Sequence, residues 1–261
     1  MSKQNVLVCF PYAGGNKSSF DIVKKHLSKG VRIIPMNYSS SELKLYHFFK
    51  ALLENLEIQL KELEGKITFF GHSIGAIIAY ELAILCGNRL NIHKLVVSAC
   101  KPPELLVKST IFSSGDNAFE NIVRLGGLPT VVLNNPTRLK KEKYKIINDL
   151  RILSHYERVI YPRVNCEIHA LSAKKDFLAS EDDMKLWINY TNKKFRENTF
   201  ATNHIGHYVL VNLIWDNIRS GGRVVCVSSA GHHNSPIRWD DIQFIRGYDK
   251  WVAYAQSKTG S

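Results

Sequence analysis

A pentapeptide in the first third of the chain has the residue types of a serine nucleophile held in a tight turn. Residues 71–75 read GHSIG, which places Ser73 between two glycines in the pattern Gly-x-Ser-x-Gly. An apolar run at 66–70 precedes it, and a helix-like segment follows from Ala76. In a strand–turn–helix context, the glycines permit the close backbone approach that projects a serine hydroxyl above a sheet. The pattern therefore predicts Ser73 as a nucleophile for acyl transfer.

A serine hydroxyl is a weak nucleophile unless a base accepts its proton, and the base needs a carboxylate to orient it. In folds with this turn, the order along the chain is serine, acid, histidine. Asp176 and His204 each follow an apolar, strand-like run, and we predict them as the acid and the base. Asp182 and Asp183 are alternatives for the acid, although their position suits the first turn of a helix. His207 is the alternative base.

Acyl transfer also needs hydrogen-bond donors that stabilise the developing oxyanion. The backbone N–H of Ile74, directly after the nucleophile, is one predicted donor. The second should come from the segment 11–15 (PYAGG), where glycines let the backbone approach a substrate. We predict Ala13 as that donor, with Tyr12 as the alternative.

The first two hundred residues alternate short apolar runs with segments of helical periodicity. Predicted strands are 6–10, 31–35, 66–70, 94–99, 166–171 and 195–200, and predicted helices are 20–27, 43–63, 76–86 and 182–190. This alternation predicts an α/β fold with a mostly parallel sheet and helices on both faces. Residues 103–160 interrupt the rhythm with helical patterns and loop signals, and insertions of this kind often form lids.

Composition bounds the class of protein. The chain has 261 residues, 45% of them hydrophobic and 22% charged, which suits one large globular domain. It contains no apolar run long enough to span a membrane and no secretory signal, which predicts a soluble, cytoplasmic protein. Five widely spaced cysteines predict buried free thiols, not disulfides or a metal site. The net charge of +12 suits an acidic partner, but no nucleic-acid motif accompanies it.

Several motifs resemble those of the type II thioesterases, the stand-alone editing enzymes of polyketide, nonribosomal-peptide and fatty-acid synthesis. The matching segments are 9–15 (CFPYAGG), 70–76 (FGHSIGA), 98–103 (SACKPP) and 125–129 (LGGLP), with Trp187, Thr191 and Phe195. The resemblance runs from about residue 5 to residue 204 and implies an α/β-hydrolase fold with its lid at about 103–160. It places the family's triad on Ser73, Asp176 and His204. It further implies a monomer without a cofactor that acts on acyl or peptidyl carrier proteins.

From about residue 199 to the end, the chain resembles part of a short-chain dehydrogenase/reductase. The segments are 202–208 (TNHIGHY), 223–230 (RVVCVSSA) and 254–258 (YAQSK), which would supply the tetrad Asn203, Ser229, Tyr254 and Lys258. The glycine-rich dinucleotide fingerprint of such enzymes is missing from the chain. We therefore interpret the sequence as a chimera, with a hydrolase domain over 1–204 and a reductase-like fragment over 205–261. The first helix of that fragment could dock as the last helix of the hydrolase.

The sequence thus predicts hydrolysis of acyl thioesters on the phosphopantetheine of carrier proteins, without cofactor, metal, nucleic acid or membrane. Within the serine hydrolases, an esterase or lipase that acts on oxygen esters is the near rival. Two alternatives from other classes also remain at this stage. One is an NADP-dependent short-chain oxidoreductase that uses the C-terminal tetrad. The other is a carrier-protein-binding module whose triad the join has disabled.

Overall fold

The computed structural model of the chain describes most of the residues that build the sheet and its flanking helices. These are residues 4–26, 30–38, 45–61, 65–107, 115–124, 128, 130–154, 156, 160–172, 176, 178–197, 233, 235–238 and 249–259. All structural statements below refer to this part of the chain.

A six-stranded sheet, parallel at every pairing, forms the centre of the molecule. Its spatial order is β2-β1-β3-β4-β5-β6. The strands are β1 (Asn5–Phe10), β2 (Val31–Pro35), β3 (Ile67–His72), β4 (Ile92–Ser98), β5 (Glu167–Leu171) and β6 (Phe195–Glu197). Six strands were predicted at these places, and the predicted mostly parallel sheet flanked by helices is confirmed.

The second and third helices bury their apolar side chains in the core that they share with the sheet. In the long second helix every buried side chain is a leucine or phenylalanine, which is the pattern of an amphipathic helix on a sheet. The third helix is apolar nearly all round and is buried along most of its length. The helices of this layer are α1 (Asp21–His26), α2 (Leu45–Leu60) and α3 (Ile74–Cys86), with 3₁₀ turns at Lys17–Phe20 and Leu186–Tyr190.

The chain reverses its direction of travel across the sheet at β1, because β2 and β3 lie on opposite sides of that strand. In an open parallel sheet such a switch leaves a crevice outside the carboxyl ends of the two strands. The loop after Phe10 and the turn after His72 both begin at this crevice. The topology therefore brings the predicted oxyanion loop and the predicted nucleophile to the same edge of the sheet.

The segment between β4 and β5 is helical. It contains α4 (Pro103–Val107), α5 (Gly115–Arg124), α6 (Thr130–Leu133) and α7 (Pro136–Ser154). A small apolar cluster of its own, separate from the main core, joins α5 to α7 through Ala118, Phe119, Ile146 and Leu150. The partly buried Ala13 packs against both clusters. This helical layer, which we call the lid, therefore meets the sheet at the loop after β1.

Three hydrogen bonds fasten the longest lid helix to that loop. The Gly14 N–H donates to Asp149 Oδ2 at 2.8 Å. Lys145 Nζ donates to the carbonyl oxygens of Gly14 and Gly15 at 2.8 and 2.6 Å. Asp149 is 1% exposed, and burial raises its pKa to about 6, although the Gly14 N–H and the Lys145 ammonium act in the opposite direction. The lid is thus anchored by a carboxylate whose burial carries a desolvation cost.

The remaining helices lie between β5 and β6 and near the end of the chain. They are α8 (Glu181–Lys185) and α9 (Lys250–Thr259). Among the described residues, no helix is both long and apolar enough to cross a bilayer. Cys9, Cys86, Cys100 and Cys166 are buried free thiols, as predicted, and Cys226 lies outside the described residues.

The elevated pKa of Asp149 predicts a pH-dependent effect of Asp149→Asn on stability. A carboxyl group whose pKa is about 6 in the folded protein and 3.8 when unfolded binds its proton more tightly when folded. Its contribution to the free energy of unfolding therefore falls as the pH rises from about 4 to 6. An asparagine at this position cannot ionise, and its oxygen can still accept from Gly14. Relative to the wild type, the variant should gain stability across this interval, by at most about 3 kcal/mol at pH 7.

Urea unfolding of both proteins between pH 4 and pH 8 measures this difference. The matched control is Asp182→Asn, because the Asp182 side chain is 91% exposed and its pair with Lys185 lies on the surface. The control should follow the wild-type profile. An Asp149→Asn profile parallel to that of the wild type would contradict the elevated pKa.

Candidate active site

The turn between β3 and α3 holds Ser73 in a conformation that non-glycine residues rarely adopt. Its φ is 54° and its ψ is −129°. The Ser73 N–H donates to the Ser98 carbonyl at 2.9 Å, and the Ser73 carbonyl accepts from the Ala76 N–H at 2.9 Å. These bonds fix both sides of the turn, so the strain of the positive φ is imposed by the neighbouring strand and helix. The hydroxyl projects from a sharp corner between the strand and the helix, as a nucleophile elbow requires.

The two glycines of the pentapeptide are required by close contacts within the turn. A Cβ atom on Gly71 would lie 2.3 Å from the carbonyl oxygen of Gly75. A Cβ atom on Gly75 would lie 2.2 Å from the carbonyl oxygen of Phe10 on β1. Both obstacles are backbone atoms, which cannot rotate away as a side chain can. Glycine is therefore needed at both positions of Gly-x-Ser-x-Gly because the helix packs directly against the ends of two strands.

The loop after β1 lies beside the elbow. The Gly15 N–H donates to the Tyr12 carbonyl at 2.8 Å and closes a tight turn, in which Gly14 has a φ of 83°. The ring of Tyr12 meets His72 edge to face, with centroids 6.0 Å apart. Tyr12 and Ala13 line the same cavity as Ser73, so both predicted candidates for the second oxyanion donor lie near the nucleophile.

Asp176 lies on the loop after β5 and lines the cavity that contains Ser73. Its Oδ1 accepts hydrogen bonds from the backbone N–H groups of Leu178 and Ala179, at 2.8 and 3.0 Å. These two bonds form a local turn that holds one carboxylate oxygen in place. The negative charge of Asp176 affects the pKa of two neighbouring groups. Burial lowers the pKa of His72, and the Asp176 charge partly opposes this shift. Burial raises the pKa of Cys100 to about 12, and the Asp176 charge acts in the same direction.

The two alternative acids lie in the first turn of α8, as their sequence position indicated. Asp183 forms a capping box with Ser180, in which the Asp183 N–H donates to Ser180 Oγ and the Ser180 N–H donates to Asp183 Oδ2. It also pairs with Lys101 at 3.2 Å. Asp182 is exposed and pairs with Lys185 at 2.7 Å. Neither lines the cavity of Ser73, and their contacts give them a structural role.

A cavity of about 510 Å³ opens above the elbow and under the lid. Its apolar wall comes mainly from lid residues together with one residue that follows Asp176, namely Ile122, Leu128, Val132, Ile146, Leu150 and Leu178. Arg138 and Glu142 of α7 add two charged side chains. The predicted nucleophile, Ser73, thus lies at one side of a chamber whose wall is largely apolar.

A larger cavity, of about 940 Å³, lies at the opposite edge of the sheet among Asn5, Lys66 and Arg89. It contains neither Ser73 nor Asp176, so its size does not mark it as the active site. Among the described residues, no group of three histidine, cysteine, aspartate or glutamate side chains is arranged to hold a metal ion.

The predicted base, His204, lies outside the described residues, as do its rival His207 and the tetrad members Asn203 and Ser229. The other two members of the reductase-like tetrad, Tyr254 and Lys258, fall on α9, one helical turn apart. The structure describes their backbone only. The roles of the triad and the tetrad therefore stay predictions.

The residues that link the lid to the oxyanion loop were not found by sequence reasoning. Asp149 and Lys145 lie four residues apart on α7, and Asp149 shares the buried face of that helix with Ile146 and Leu150. A carboxylate on an otherwise apolar helical face is the signal that could have indicated a buried partner. Its partner, Gly14, is 135 residues away, so no local pattern identifies it.

Comparison with known proteins places this site in a family. The family model for the thioesterase domain matches residues 5–209, which includes His204 and extends five residues past the predicted boundary. The thioesterase TesA of Mycobacterium leprae is 28% identical over 214 residues, which cover 76% of this chain and 79% of TesA. The phenyloxazoline synthase MbtB of Mycobacterium tuberculosis is 26% identical over 77% of this chain, but the match spans only 15% of MbtB.

A solved structure gives the same result. RedJ, a thioesterase from the prodiginine biosynthetic pathway in Streptomyces coelicolor, superposes with a TM-score of 0.66 and 28% identity. The similarity covers 74% of this chain and 76% of RedJ. The chain therefore belongs to the thioesterase domain family and is a serine hydrolase of the thioesterase type.

Proposed function

We propose that this protein hydrolyses acyl thioesters from the phosphopantetheine arm of a carrier protein, with Ser73, His204 and Asp176 as its catalytic triad. The observation that carries the proposal is the position of Ser73. It occupies a positive-φ elbow, and the apolar cavity beside it also contains Asp176 and Ala13. A thioester carbonyl placed at Ser73 would have its acyl chain in that chamber.

In the first half of the proposed reaction, Ser73 Oγ attacks the thioester carbonyl while His204 accepts the hydroxyl proton. Negative charge develops on the carbonyl oxygen, where the N–H groups of Ile74 and Ala13 stabilise it. Ile74 begins α3, so its N–H belongs to the first turn, whose donors have no intrahelical acceptor. The carbon–sulfur bond then breaks. The imidazolium of His204 gives its proton to the sulfur, and the pantetheine thiol departs.

In the second half, water attacks the acyl ester on Ser73, and His204 accepts a proton from that water. When the tetrahedral intermediate collapses, the proton returns to Ser73 Oγ and the acyl group leaves as a carboxylic acid. The Asp176 carboxylate stabilises the imidazolium. Both backbone hydrogen bonds engage Oδ1, and we assign the other carboxylate oxygen to the proposed contact with His204.

The charge of the chain supports an acidic carrier as partner. The net charge is +12, and Arg138, Lys140 and Lys141 belong to the lid helix α7, with Arg138 also lining the cavity. A positive surface beside the entrance would attract an acidic protein and speed its encounter with the enzyme. The resemblance to the type II thioesterases implies a monomer, and we propose that state here.

Replacement of Ser73 by alanine should abolish turnover. Without the hydroxyl no acyl-enzyme can form, and thiol release from an acyl-pantetheine substrate should fall at least about a thousandfold. Alanine fits the same backbone, so the melting temperature should change little. Ser18→Ala is the matched control, because Ser18 lines the same cavity and should be dispensable. Equal release by the Ser73→Ala variant would refute the nucleophile. If the wild type also released no thiol but still bound the carrier protein, the chain would be a binding module without catalytic activity.

Replacement of each histidine by alanine should separate His204 from His207. The His204→Ala variant loses the base, so kcat should fall about a thousandfold or more, whereas His207→Ala should keep activity within about threefold. Steady-state thiol release at pH 8 measures both variants. The reverse order would assign the base to His207 instead.

Replacement of Asp176 by asparagine should leave the loop intact while it removes the charge. The asparagine oxygen can still accept from Leu178 and Ala179, so stability should change little. The loss of the carboxylate should lower kcat by about 10³–10⁴ at neutral pH, as expected for an orienting acid. Asp182→Asn, on the exposed face of α8, is the control and should retain wild-type kcat.

A further inference from the structure

The loop that follows β1 has two separate attachments outside the sheet. At its start, the Tyr38 hydroxyl donates to the Pro11 carbonyl from the segment after β2. At its end, α7 binds the loop through Asp149 and Lys145. Tyr12 and Ala13 lie between these attachments and line the cavity beside Ser73.

The attachment to α7 orients the two peptide groups on either side of Gly14. Asp149 accepts from the Gly14 N–H and Lys145 donates to the Gly14 carbonyl, so the lid holds both polar groups of that residue. A peptide bond is planar, so these contacts fix the Ala13–Gly14 and Gly14–Gly15 peptide planes. Glycine tolerates many backbone conformations, so two adjacent glycines would otherwise let these planes rotate.

The Ala13 N–H belongs to the preceding peptide group, between Tyr12 and Ala13. The Gly15 N–H, which lies in the plane held by Lys145, donates to the Tyr12 carbonyl at 2.8 Å. That carbonyl and the Ala13 N–H share one planar peptide group. The lid therefore restrains the Ala13 N–H through the hydrogen bond between Gly15 and Tyr12.

Packing reinforces the same contact. A Cβ atom on Gly14 would lie 2.6 Å from Ile146 Cγ1, which shows how closely the helix rests on the loop. Ile146 is 3% exposed, and Asp149, one turn further along α7, is 1% exposed. A buried carboxylate is costly unless it is hydrogen-bonded. Stability alone would favour an apolar side chain on this face, so the presence of Asp149 calls for a role in the loop it contacts.

We propose that Asp149 and Lys145 are positioning residues that assemble the oxyanion hole, so that the second donor is correctly aimed only when the lid helix is seated. This inference rests on the proposed function, in which the Ala13 N–H is that donor. Neither residue touches the substrate carbonyl. Both act through the backbone of Gly14 and Gly15, and they make hydrolysis dependent on the position of the lid.

The test compares Asp149→Leu with Asp149→Asn in acyl-pantetheine hydrolysis. Leucine is close in volume but cannot accept from Gly14, so kcat should fall about 10- to 100-fold while KM changes less than about threefold. Asparagine keeps the acceptor and should retain kcat within about threefold. Leu139→Ala, which weakens lid packing and does not line the cavity, controls for general loosening and should stay within about threefold.

Hydrogen exchange of the Gly14 amide gives a second readout that does not depend on turnover. The amide should be protected in the wild type and in Asp149→Asn, and should exchange at least about tenfold faster in Asp149→Leu. If Asp149→Leu does not fold, Lys145→Met serves instead: it leaves the carboxylate in place, removes the bonds to both carbonyls, and should lower kcat about tenfold.

The outcomes separate this inference from the proposed function. An unchanged kcat in Asp149→Leu together with a rapidly exchanging Gly14 amide would overturn the inference and leave the thioesterase intact. An equal loss of kcat in Asp149→Asn and Asp149→Leu would also overturn it, because the acceptor would not be the property that matters. A wild type without Ser73-dependent turnover would refute the proposed function, while the exchange data would still decide whether Asp149 holds the loop.

Discussion

The geometry of the site depends on the tight packing of the start of α3 against the ends of β1 and β3. The backbone of Gly75 lies so close to the Phe10 carbonyl that no side chain fits, and the same is true of Gly71 against Gly75. This contact forces Ser73 into a positive φ and directs its hydroxyl out of the sheet. It also sets the distance from the nucleophile to the loop after Phe10. The close packing of one helix against two strands therefore fixes both the proposed nucleophile and the place where the proposed oxyanion would develop.

The lid closes the site with a different kind of interaction. Its apolar contacts through Ala118, Phe119, Ile146 and Leu150 are not specific for one arrangement, because hydrophobic association has no preferred direction. The buried Asp149 favours one arrangement of the lid, because its carboxylate accepts a hydrogen bond from the Gly14 N–H only when α7 lies against the loop. The cost appears as the elevated pKa of this group. An apolar cluster thus supplies attraction, and one costly polar contact selects the position.

Much of this architecture could be predicted from the sequence, because the signals were local. Short apolar runs bounded by turn residues indicated six strands, and the flanking patterns indicated the helices between them. The predicted third strand ends two residues early, because the Gly-x-Ser-x-Gly pattern indicates a turn from Gly71 onward. In the structure, Gly71 and His72 still pair with β4. Asp149 was missed for a different reason. A charged residue on a helix normally faces solvent, and only a tertiary contact with a distant glycine reverses that expectation. Sequence identified the groups proposed to do chemistry, but not the groups that hold them.

Lid residues that line the cavity also lie at the contact between α7 and the loop after β1. Ile146 lines the cavity and packs on Gly14, while Leu150 lines the cavity next to Asp149 in the chain. Under the proposed coupling, an acyl group that fits the chamber would leave the contacts of α7 with the loop in place, and a group that displaces Ile146 would loosen them. Under the proposed coupling, chain selectivity would arise from how well the substrate completes the site, and it would be expressed in kcat as well as in binding. Such a mechanism would suit the proposed function, because a pantetheine arm is the same whichever acyl group is attached to it.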